Sequence, residues 1–179
     1  MKLLIGITSS IAAYRLPNLI STLKKQNFEI KTMITEHAKA FVAPQALAVM
    51  SQNPCLTDRD EWNNTEHVLH IEAAKWCDAL LIAPLSANTL AKIANGFCDN
   101  LLTSAVRAIG SKPLILAPAM NTAMWENPLT KKHLGECEQI YNLTVINPIA
   151  KRLADGDEGM GGLAEDETII SELKNLNPD

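Results

Sequence analysis

Short, uninterrupted apolar runs alternate along this chain with longer segments whose apolar residues recur at helical spacing. Runs of the first kind predict strands, and the spacing of the second kind predicts helices. The predicted strands cover residues 3–8, 29–35, 79–83, 112–117 and 144–147. The predicted helices cover residues 11–26, 37–50, 89–95, 99–109, 128–141 and 165–176, and a looser polar segment covers residues 53–66.

The predicted strands are apolar throughout, which is typical of strands that are covered on both faces. Such strands, separated by helices, predict an α/β fold with a parallel sheet that is covered by helices on both faces. No repeat, linker or change of composition divides the chain, so we expect one domain over residues 1–179. Because ligands of such sheets bind beyond the carboxyl ends of the strands, the loops at those ends hold the candidate functional residues.

Three hydroxyl residues, Thr8, Ser9 and Ser10, follow the first predicted strand, where a helix begins. The dinucleotide motif G-x-G-x-x-G is absent from this turn. The N–H groups and dipole of a helix start favour an anion, and hydroxyls add hydrogen bonds, so the turn fits the phosphate of a mononucleotide. The simpler interpretation is that Ser9 or Ser10 only caps the helix.

Two further strand ends carry polar residues. Thr35 and His37 follow the second predicted strand, and from this segment alone a helix cap and a surface histidine are the simpler interpretations. The third strand leads into Ser86, Asn88 and Thr89, which again mark a helix start. Polar turns after neighbouring strands indicate a shared pocket.

The loop after the fourth predicted strand places Met120, Met124 and Trp125 around a single polar residue, Asn121. An exposed loop is not expected to be so apolar, and two interpretations remain. The loop packs into the core, or it forms a surface that a neighbouring subunit buries, with Asn121 as the polar anchor.

Two histidines, His67 and His70, precede the third strand, and spacing alone does not choose between them as a base near the pocket. A structural role is an equal alternative for either. The glycine-rich segment 155–162 is typical of a mobile flap that closes over a ligand, and equally of a disordered surface loop.

Composition narrows the classes of protein to which this chain can belong. Apolar residues make up 47% of the chain and charged residues 20%, with a net charge of −4, which excludes a disordered chain and does not favour a nucleic-acid partner. No apolar run approaches the roughly 18 residues of a membrane helix, and the first residues read as a strand, so neither a membrane partner nor a signal peptide is expected. The four cysteines lack C-x-x-C spacing, which predicts no metal site and a cytoplasmic protein with reduced thiols.

Two long motifs, Pro-Leu-Ser-Ala-Asn-Thr from Pro84 and Pro-Ala-Met-Asn-Thr-Ala-Met-Trp from Pro118, resemble those of the flavin-containing cysteine decarboxylases. Shorter matching stretches begin at Ser10, His70, Ile93, Asn127 and Lys151. The Lys-Arg-Leu-Ala stretch at Lys151 resembles the branch of coenzyme A synthesis more than the lantibiotic peptidyl-cysteine branch. The resemblance covers nearly the whole chain. It implies a three-layer, Rossmann-like subunit of flavodoxin type. It also implies FMN as the cofactor, held where subunits meet in a homotrimer or a dodecamer of trimers.

The resemblance also implies site residues. The expected FMN contacts are Ser9, Ser10, Ile11, Thr35, His37, Ser86, Ala87, Asn88, Thr89 and Ala119. His70, in its His-Ile-Glu setting, matches the active-site histidine, which deprotonates or orients the substrate. Asn121 and Met124 match residues that hold the substrate carboxylate from an adjacent subunit. Candidates for the substrate phosphate are Arg152 and, more weakly, Lys75 and Arg15.

The implied reaction is oxidative decarboxylation of the cysteine carboxylate of 4′-phosphopantothenoylcysteine, leading to 4′-phosphopantetheine. Oxidation at the carbon that carries sulfur creates a C=S bond that accepts the electrons released with CO₂. The neutral amide of Asn121 suits a carboxylate that must leave uncharged.

One position departs from the coenzyme A branch. Its flap reads Leu-Ala-Cys-Gly-Asp, with a cysteine that returns a proton when the enethiol is reduced, whereas Asp155 stands there in this chain. An exposed aspartate is ionised at neutral pH and donates a proton only if its surroundings raise its pKa. The alternatives are therefore a decarboxylase that uses Asp155 as the acid, one that stops at the enethiol, and a non-catalytic FMN-binding regulatory subunit. An unrelated mononucleotide binder would not explain the two long motifs.

Overall fold

A computed structural model describes residues 1–63, 66–152, 156 and 158–176 of the chain. Its main sheet has six parallel strands in the order β3-β2-β1-β4-β5-β6. Their bounds are Lys2–Ile7 (β1), Glu29–Ile34 (β2), Cys55–Leu56 (β3), Ala79–Leu85 (β4), Leu114–Pro118 (β5) and Leu143–Val145 (β6). Without the two-residue edge strand β3, this is the flavodoxin order, and the predicted parallel α/β fold is confirmed.

Helices cover both faces of the sheet. They are α1 (Leu16–Lys25), α2 (Pro44–Ser51), α3 (Asp58–Asn63), α4 (Leu69–Trp76), α5 (Ala87–Ala94), α6 (Leu101–Ala108), α7 (Thr122–Trp125), α8 (Pro128–Ile140) and α9 (Asp166–Asn175). Successive side chains of a strand point to opposite faces, so one sheet contributes to two cores. In β1, Leu3, Ile5 and Ile7 pack with α1, α2 and α9, whereas Leu4 packs with α4, α5, α6 and α8.

Prolines divide two of the predicted helices. The segment predicted as a helix over residues 11–26 is a 3-10 helix over Ile11–Arg15 followed by α1, with Pro17 in the first turn of α1. The segment predicted over residues 37–50 is a 3-10 helix over Glu36–Ala40 followed by α2, which begins at Pro44. Proline fixes φ and lacks an N–H donor, so it starts a helix more readily than it continues one.

The sequence pattern missed several short elements. The polar segment 53–66 contains β3 and α3, and α4 and α7 were not predicted. The glycine-rich segment pairs with an unpredicted strand: β7 (Ile149–Arg152) and β8 (Glu158–Gly162) form an antiparallel hairpin. The alternative of a disordered loop is therefore wrong for residues 158–162. Such short elements carry too few residues for a periodic pattern.

No helix in the described part of the chain has the length and apolarity needed to cross a bilayer.

Candidate functional site

Three strand ends meet at one cavity of about 790 Å³. It lies where the strand order reverses between β1 and β4, which is the position expected for a ligand in an open α/β sheet. The turns after β1, β4 and β5 form one side, and the β7–β8 hairpin and nearby loops form the other. The described lining residues are Ser9, Ser10, Ile11, Ala12, Tyr14, Phe41, Ser86, Ala87, Asn88, Ala119, Met120, Asn121, Met124, Lys151, Arg152, Gly162 and Leu163.

The turn after β1 presents its serines to the cavity. Ser10 occupies the N-cap position of the 3-10 helix, yet its side chain makes no capping hydrogen bond, so the capping interpretation is wrong for this residue. Ser9 and Ser10 are half-buried and line the cavity, whereas Thr8 is fully buried behind them. Hydroxyls placed beside the N–H groups of a first helical turn suit an anionic ligand.

The turn after β4 is built around Ser86. Its Oγ accepts the backbone N–H of Thr89 at 3.2 Å and so caps α5, and it also contacts the Thr89 hydroxyl at 3.1 Å. Thr89 is buried by this contact and does not line the cavity. Ala87 and Asn88, the first two residues of α5, face the ligand space, so the helix dipole adds positive potential there.

The loop after β5 is held by the hairpin. The Met120 N–H donates to the Gly161 carbonyl at 2.9 Å, and the Asn121 Oδ1 accepts the Ala123 N–H at 2.8 Å as the cap of α7. Met124 in α7 is 48% exposed, so the prediction that this loop packs into the core is wrong for that side chain. Asn121, which is half-buried, and Met124 both lie in the cavity wall.

The charge and polarity of the cavity fit a flavin nucleotide. Among the described lining residues, Lys151 and Arg152 are the charged ones, and both are basic. The apolar part of the cavity wall is formed by Ile11, Tyr14, Phe41, Met120 and Met124. A flat aromatic ring needs apolar walls, a phosphate needs donors and cations, and the volume lies in the usual range for ligand pockets of about 300–1,000 Å³. The described residues offer no group of three or more histidine, cysteine or acidic side chains for a metal ion.

Some predicted site residues lie outside this cavity. Thr35 does not cap a helix, so the capping interpretation is wrong, and its hydroxyl instead donates to the Ile7 carbonyl at 3.4 Å. His37 is an exposed side chain at the carboxyl end of β2. His70, in the first turn of α4, contacts Glu61 and is not part of the cavity wall. Asp155 lies outside the described residues.

Two of the three residues that were candidates for binding the substrate phosphate lie outside the cavity. Arg15 is committed to structural contacts, because its guanidinium donates to the Leu163 carbonyl at 2.9 Å and to Asp166 at 2.6 Å. Lys75 is exposed near the end of α4 and shortly before the start of β4, whereas the cavity lies at the carboxyl ends of the strands. Arg152 is the candidate that lines the cavity.

Sequence reasoning missed two kinds of cavity residue. Tyr14 and Lys151 belong to matching stretches and were available as candidates, but nothing in their spacing pointed to a ligand. Phe41, which follows the 3-10 helix after β2, and Leu163, which follows β8, reach the cavity only through the tertiary fold. Glu61 had no local pattern to mark it as the partner of His70.

Comparison with known proteins gives consistent matches over the whole fold. A family model described as Flavoprotein matches residues 1–177. The phosphopantothenoylcysteine decarboxylase of Mus musculus is 42% identical over 179 residues, which cover 97% of this chain and 85% of the mouse protein.

Two solved structures are similar along their full length. A PPC decarboxylase mutant complexed with pantothenoylaminoethenethiol has a TM-score of 0.91 and 43% identity, covering 98% of this chain and 97% of that chain. The FMN binding protein AtHal3 has a TM-score of 0.87 and 41% identity, covering 98% of this chain and 96% of that chain.

Proposed function

The chain belongs to the flavoprotein family, and we propose that it binds FMN and decarboxylates the cysteine carboxylate of 4′-phosphopantothenoylcysteine on the way to 4′-phosphopantetheine. The observation that carries the proposal is the single cavity formed by the hydroxyl-rich turns after β1 and β4 and the Asn121 loop after β5. A protein with 42% identity along almost all of this chain is a phosphopantothenoylcysteine decarboxylase, which supports this substrate. We therefore describe the chain as a carboxy-lyase of that type, active as one domain over residues 1–179.

The turns after β1, β4 and β5 would hold the flavin nucleotide. Ser9, Ser10 and the first turn of α5, which line the cavity, would supply donors for its phosphate, and Ile11 and Ala119 would contact its ring. Thr35, His37 and Thr89 remain predicted contacts from the neighbouring strand ends. Bound there, FMN would supply the hydride acceptor for oxidation at the carbon that carries sulfur, and the resulting C=S bond would accept the electrons released with CO₂.

The chain's own residues bind and orient the substrate. His70 deprotonates or orients the substrate, because a ring nitrogen of a neutral imidazole can accept a proton. The Asn121 side chain is oriented by its capping bond to Ala123, which directs its amide N–H donors to the substrate carboxylate. Arg152 provides a cation for the substrate phosphate.

An oligomer completes this site. Within one chain Asn121 lines the cavity whereas His70 does not, so a substrate that contacts both residues requires two subunits. The side chains of Ile11, Tyr14 and Met124 at the cavity are all about half-exposed or more, which suits an apolar subunit contact. We propose a homotrimer or a dodecamer of trimers. The four cysteines are free thiols, which fits a cytoplasmic enzyme.

Mixing two inactive variants tests the shared site. His70→Asn and Asn121→Ala subunits are each expected to be inactive alone. In a mixed oligomer some sites regain both native residues, so co-purified mixtures recover part of the activity. A mixed oligomer, verified by mass spectrometry, that stays inactive would contradict a site shared between subunits.

The reaction is tested by mixing purified, FMN-loaded protein with 4′-phosphopantothenoylcysteine without oxygen. Loss of the yellow flavin absorbance followed by its recovery is expected, together with a product that lacks CO₂ and retains its saturated carbon chain. Mass spectrometry distinguishes the saturated product from the enethiol by two hydrogens. A protein that neither binds FMN nor releases CO₂ from this substrate would refute the proposal.

A second candidate function is a decarboxylase that stops at the enethiol. The observation that favours it is Asp155 at the position of the cysteine that returns a proton in the coenzyme A branch. In that case the flavin stays bleached and the enethiol accumulates. Asp155→Cys then restores absorbance and yields the saturated product, whereas Asp155→Ser does not. A flavin that never bleaches would instead indicate the non-catalytic FMN-binding regulatory subunit.

A further inference from the structure

The geometry points to Glu61 as a positioning residue that fixes the ring orientation and tautomer of His70, so that Nε2 is the nitrogen that accepts the substrate proton. This inference rests on the proposed function for the role of His70. The pairing itself is independent of that role and can be measured separately.

One carboxylate contacts His70 twice. Glu61 Oε1 lies 2.5 Å from His70 Nδ1, and Glu61 Oε2 accepts the His70 backbone N–H at 3.2 Å. The Glu61 side chain is only 8% exposed, whereas that of His70 is 26% exposed. The buried carboxylate therefore holds the inner side of the ring, and the outer side keeps access to solvent or a ligand.

The two contacts decide where the ring hydrogen lies. An ionised carboxylate only accepts hydrogen bonds, so the imidazole nitrogen beside it carries the hydrogen. In the neutral ring Nδ1 is then the donor and Nε2 is the acceptor. A base needs an unprotonated nitrogen directed at the substrate, and this tautomer provides one.

The N-terminal part of α3, which carries Glu61, is held by two of its aspartates. At its start, Asp60 accepts the backbone N–H and the hydroxyl of Thr57, both at 2.8 Å. Asp58 accepts the N–H of Leu101 at 2.8 Å, which ties α3 to the start of α6. These bonds fix the start of the short helix that carries Glu61.

A second glutamate–histidine pair in the same region provides a matched control. Glu72 Oε1 lies 2.8 Å from Nδ1 of His67, but both side chains are more than half exposed. Exposed pairs of this kind contribute little energy and fix no orientation. The two pairs share their chemistry and differ in burial.

Glu61→Gln changes one atom of this arrangement. The backbone N–H of His70 is a fixed donor, so the single amide oxygen of glutamine turns toward it and preserves the contact at the start of α4. The amide NH₂ then faces Nδ1, which must become an acceptor, and the ring hydrogen moves to Nε2. The variant thus keeps the shape of the site and reverses the roles of the two ring nitrogens.

The test uses FMN-loaded protein in which the four histidines are labelled with ¹⁵N. The His70 signals are assigned by their loss in His70→Asn. At a pH where the ring is neutral, the parent protein and Glu72→Gln are expected to carry hydrogen on Nδ1 of His70, and Glu61→Gln on Nε2. With 4′-phosphopantothenoylcysteine, Glu61→Gln should bleach the flavin roughly 100-fold more slowly or worse, the scale of a lost general base. Glu72→Gln should bleach at the parent rate, and Glu61→Asp should recover part of it.

A parent spectrum with hydrogen on Nε2 of His70 overturns the inference, and this readout holds even if Glu61→Gln fails to fold. An unchanged tautomer and bleaching rate in a folded Glu61→Gln overturn it as well. If the tautomer switches as expected but the parent protein does not bleach with this substrate, the orientation by Glu61 stands and the proposed reaction fails.

Discussion

The Thr8 hydroxyl joins two of the three strand ends that meet at the cavity, because it follows β1 and bonds to both Pro84 and Ser86 at the end of β4. Its Oγ1 donates to the Pro84 carbonyl at 2.7 Å and accepts the Ser86 backbone N–H at 2.8 Å. Thr8 is fully buried, so no water replaces these bonds. A hydroxyl can donate and accept at once, and threonine is stiff at χ1, which suits a fixed connection.

Thr8→Val is expected to weaken both the fold and flavin binding. Valine keeps the shape but leaves the Ser86 N–H without its acceptor, a loss of about 1–3 kcal/mol in the free energy of unfolding. For a chain of this size each kcal/mol lowers the melting temperature by about 2–4 °C. Because the freed turn also lines the cavity, the dissociation constant of FMN should rise, which fluorescence titration measures. Thr8→Ser keeps the hydroxyl and should stay close to the parent on both measures; an equal loss in both variants would argue against this role of the hydroxyl.

Gly161→Ala is expected to separate the hairpin from the Asn121 loop. Gly161 has φ +151°, and a Cβ there would lie 2.1 Å from the Met120 carbonyl oxygen. The backbone must shift, so the bond from the Met120 N–H is lost and the strain costs about 1–3 kcal/mol. Decarboxylation should slow more than FMN binding weakens, since the turns after β1 and β4 are untouched. Rate and flavin titration on the same sample measure this difference.

Gly135→Ala is the matched glycine control. Gly135 lies inside α8, has no atoms near the position of a Cβ, and has an ordinary helical φ. Alanine there should stabilise the fold by about 0.5–1 kcal/mol and leave the reaction rate unchanged. If both glycine variants slow the reaction equally, the specific contact between hairpin and loop is not the cause.

Substitution of Arg15 is expected to lower stability, whereas substitution of Arg152 is expected to weaken substrate binding. The Arg15 side chain is 14% exposed and bridges Leu163 to the start of α9, so Arg15→Met should lower the free energy of unfolding by about 1–3 kcal/mol. It should leave the KM for 4′-phosphopantothenoylcysteine unchanged. Arg152→Met should raise that KM with little change in melting temperature, because Arg152 is exposed at the cavity. The reverse result for the two variants would refute this assignment.

The raised pKa of a buried cysteine predicts how the free energy of unfolding changes at alkaline pH. Burial and, to a smaller extent, the nearby carboxylates of Glu136 and Glu138 together raise the pKa of the Cys137 thiol from 9.0 to about 11. Because the folded pKa lies above the unfolded pKa, the stabilising contribution is fully present below pH 9 and is lost as the pH rises toward 11. The loss reaches at most about 3 kcal/mol.

Denaturant unfolding of the parent protein and Cys137→Ala across this pH range measures that loss, and parallel curves would contradict it. A thiol reagent at pH 8 provides a second measurement. Cys98 is exposed and should react in the native protein, whereas Cys137 should react only after unfolding. Cys98→Ser should therefore remove the fast phase of labelling.

Local patterns in the sequence were sufficient to predict the layers of helices and strands in this protein and most of the strand ends. The apolar runs of β1, β4 and β5 predicted buried parallel strands, because a strand covered on both faces has no polar side. Ser86 before α5 and Asn127 with Pro128 before α8 mark helix starts through their own backbone chemistry. The motifs at Pro84 and Pro118 carried the resemblance to flavin-containing decarboxylases, which the family match confirms.

Tertiary structure decided which of these residues line the cavity and which stabilise the fold. Arg15 and Arg152 are both arginines near a strand or helix end, yet only the fold commits one to α9 and leaves the other at the cavity. The pairing of Glu61 with His70, and the contact of Gly161 with Met120, join segments whose separation in sequence leaves no periodic trace. A side chain's role depends on its partner and its burial, and these arise only when distant segments pack together.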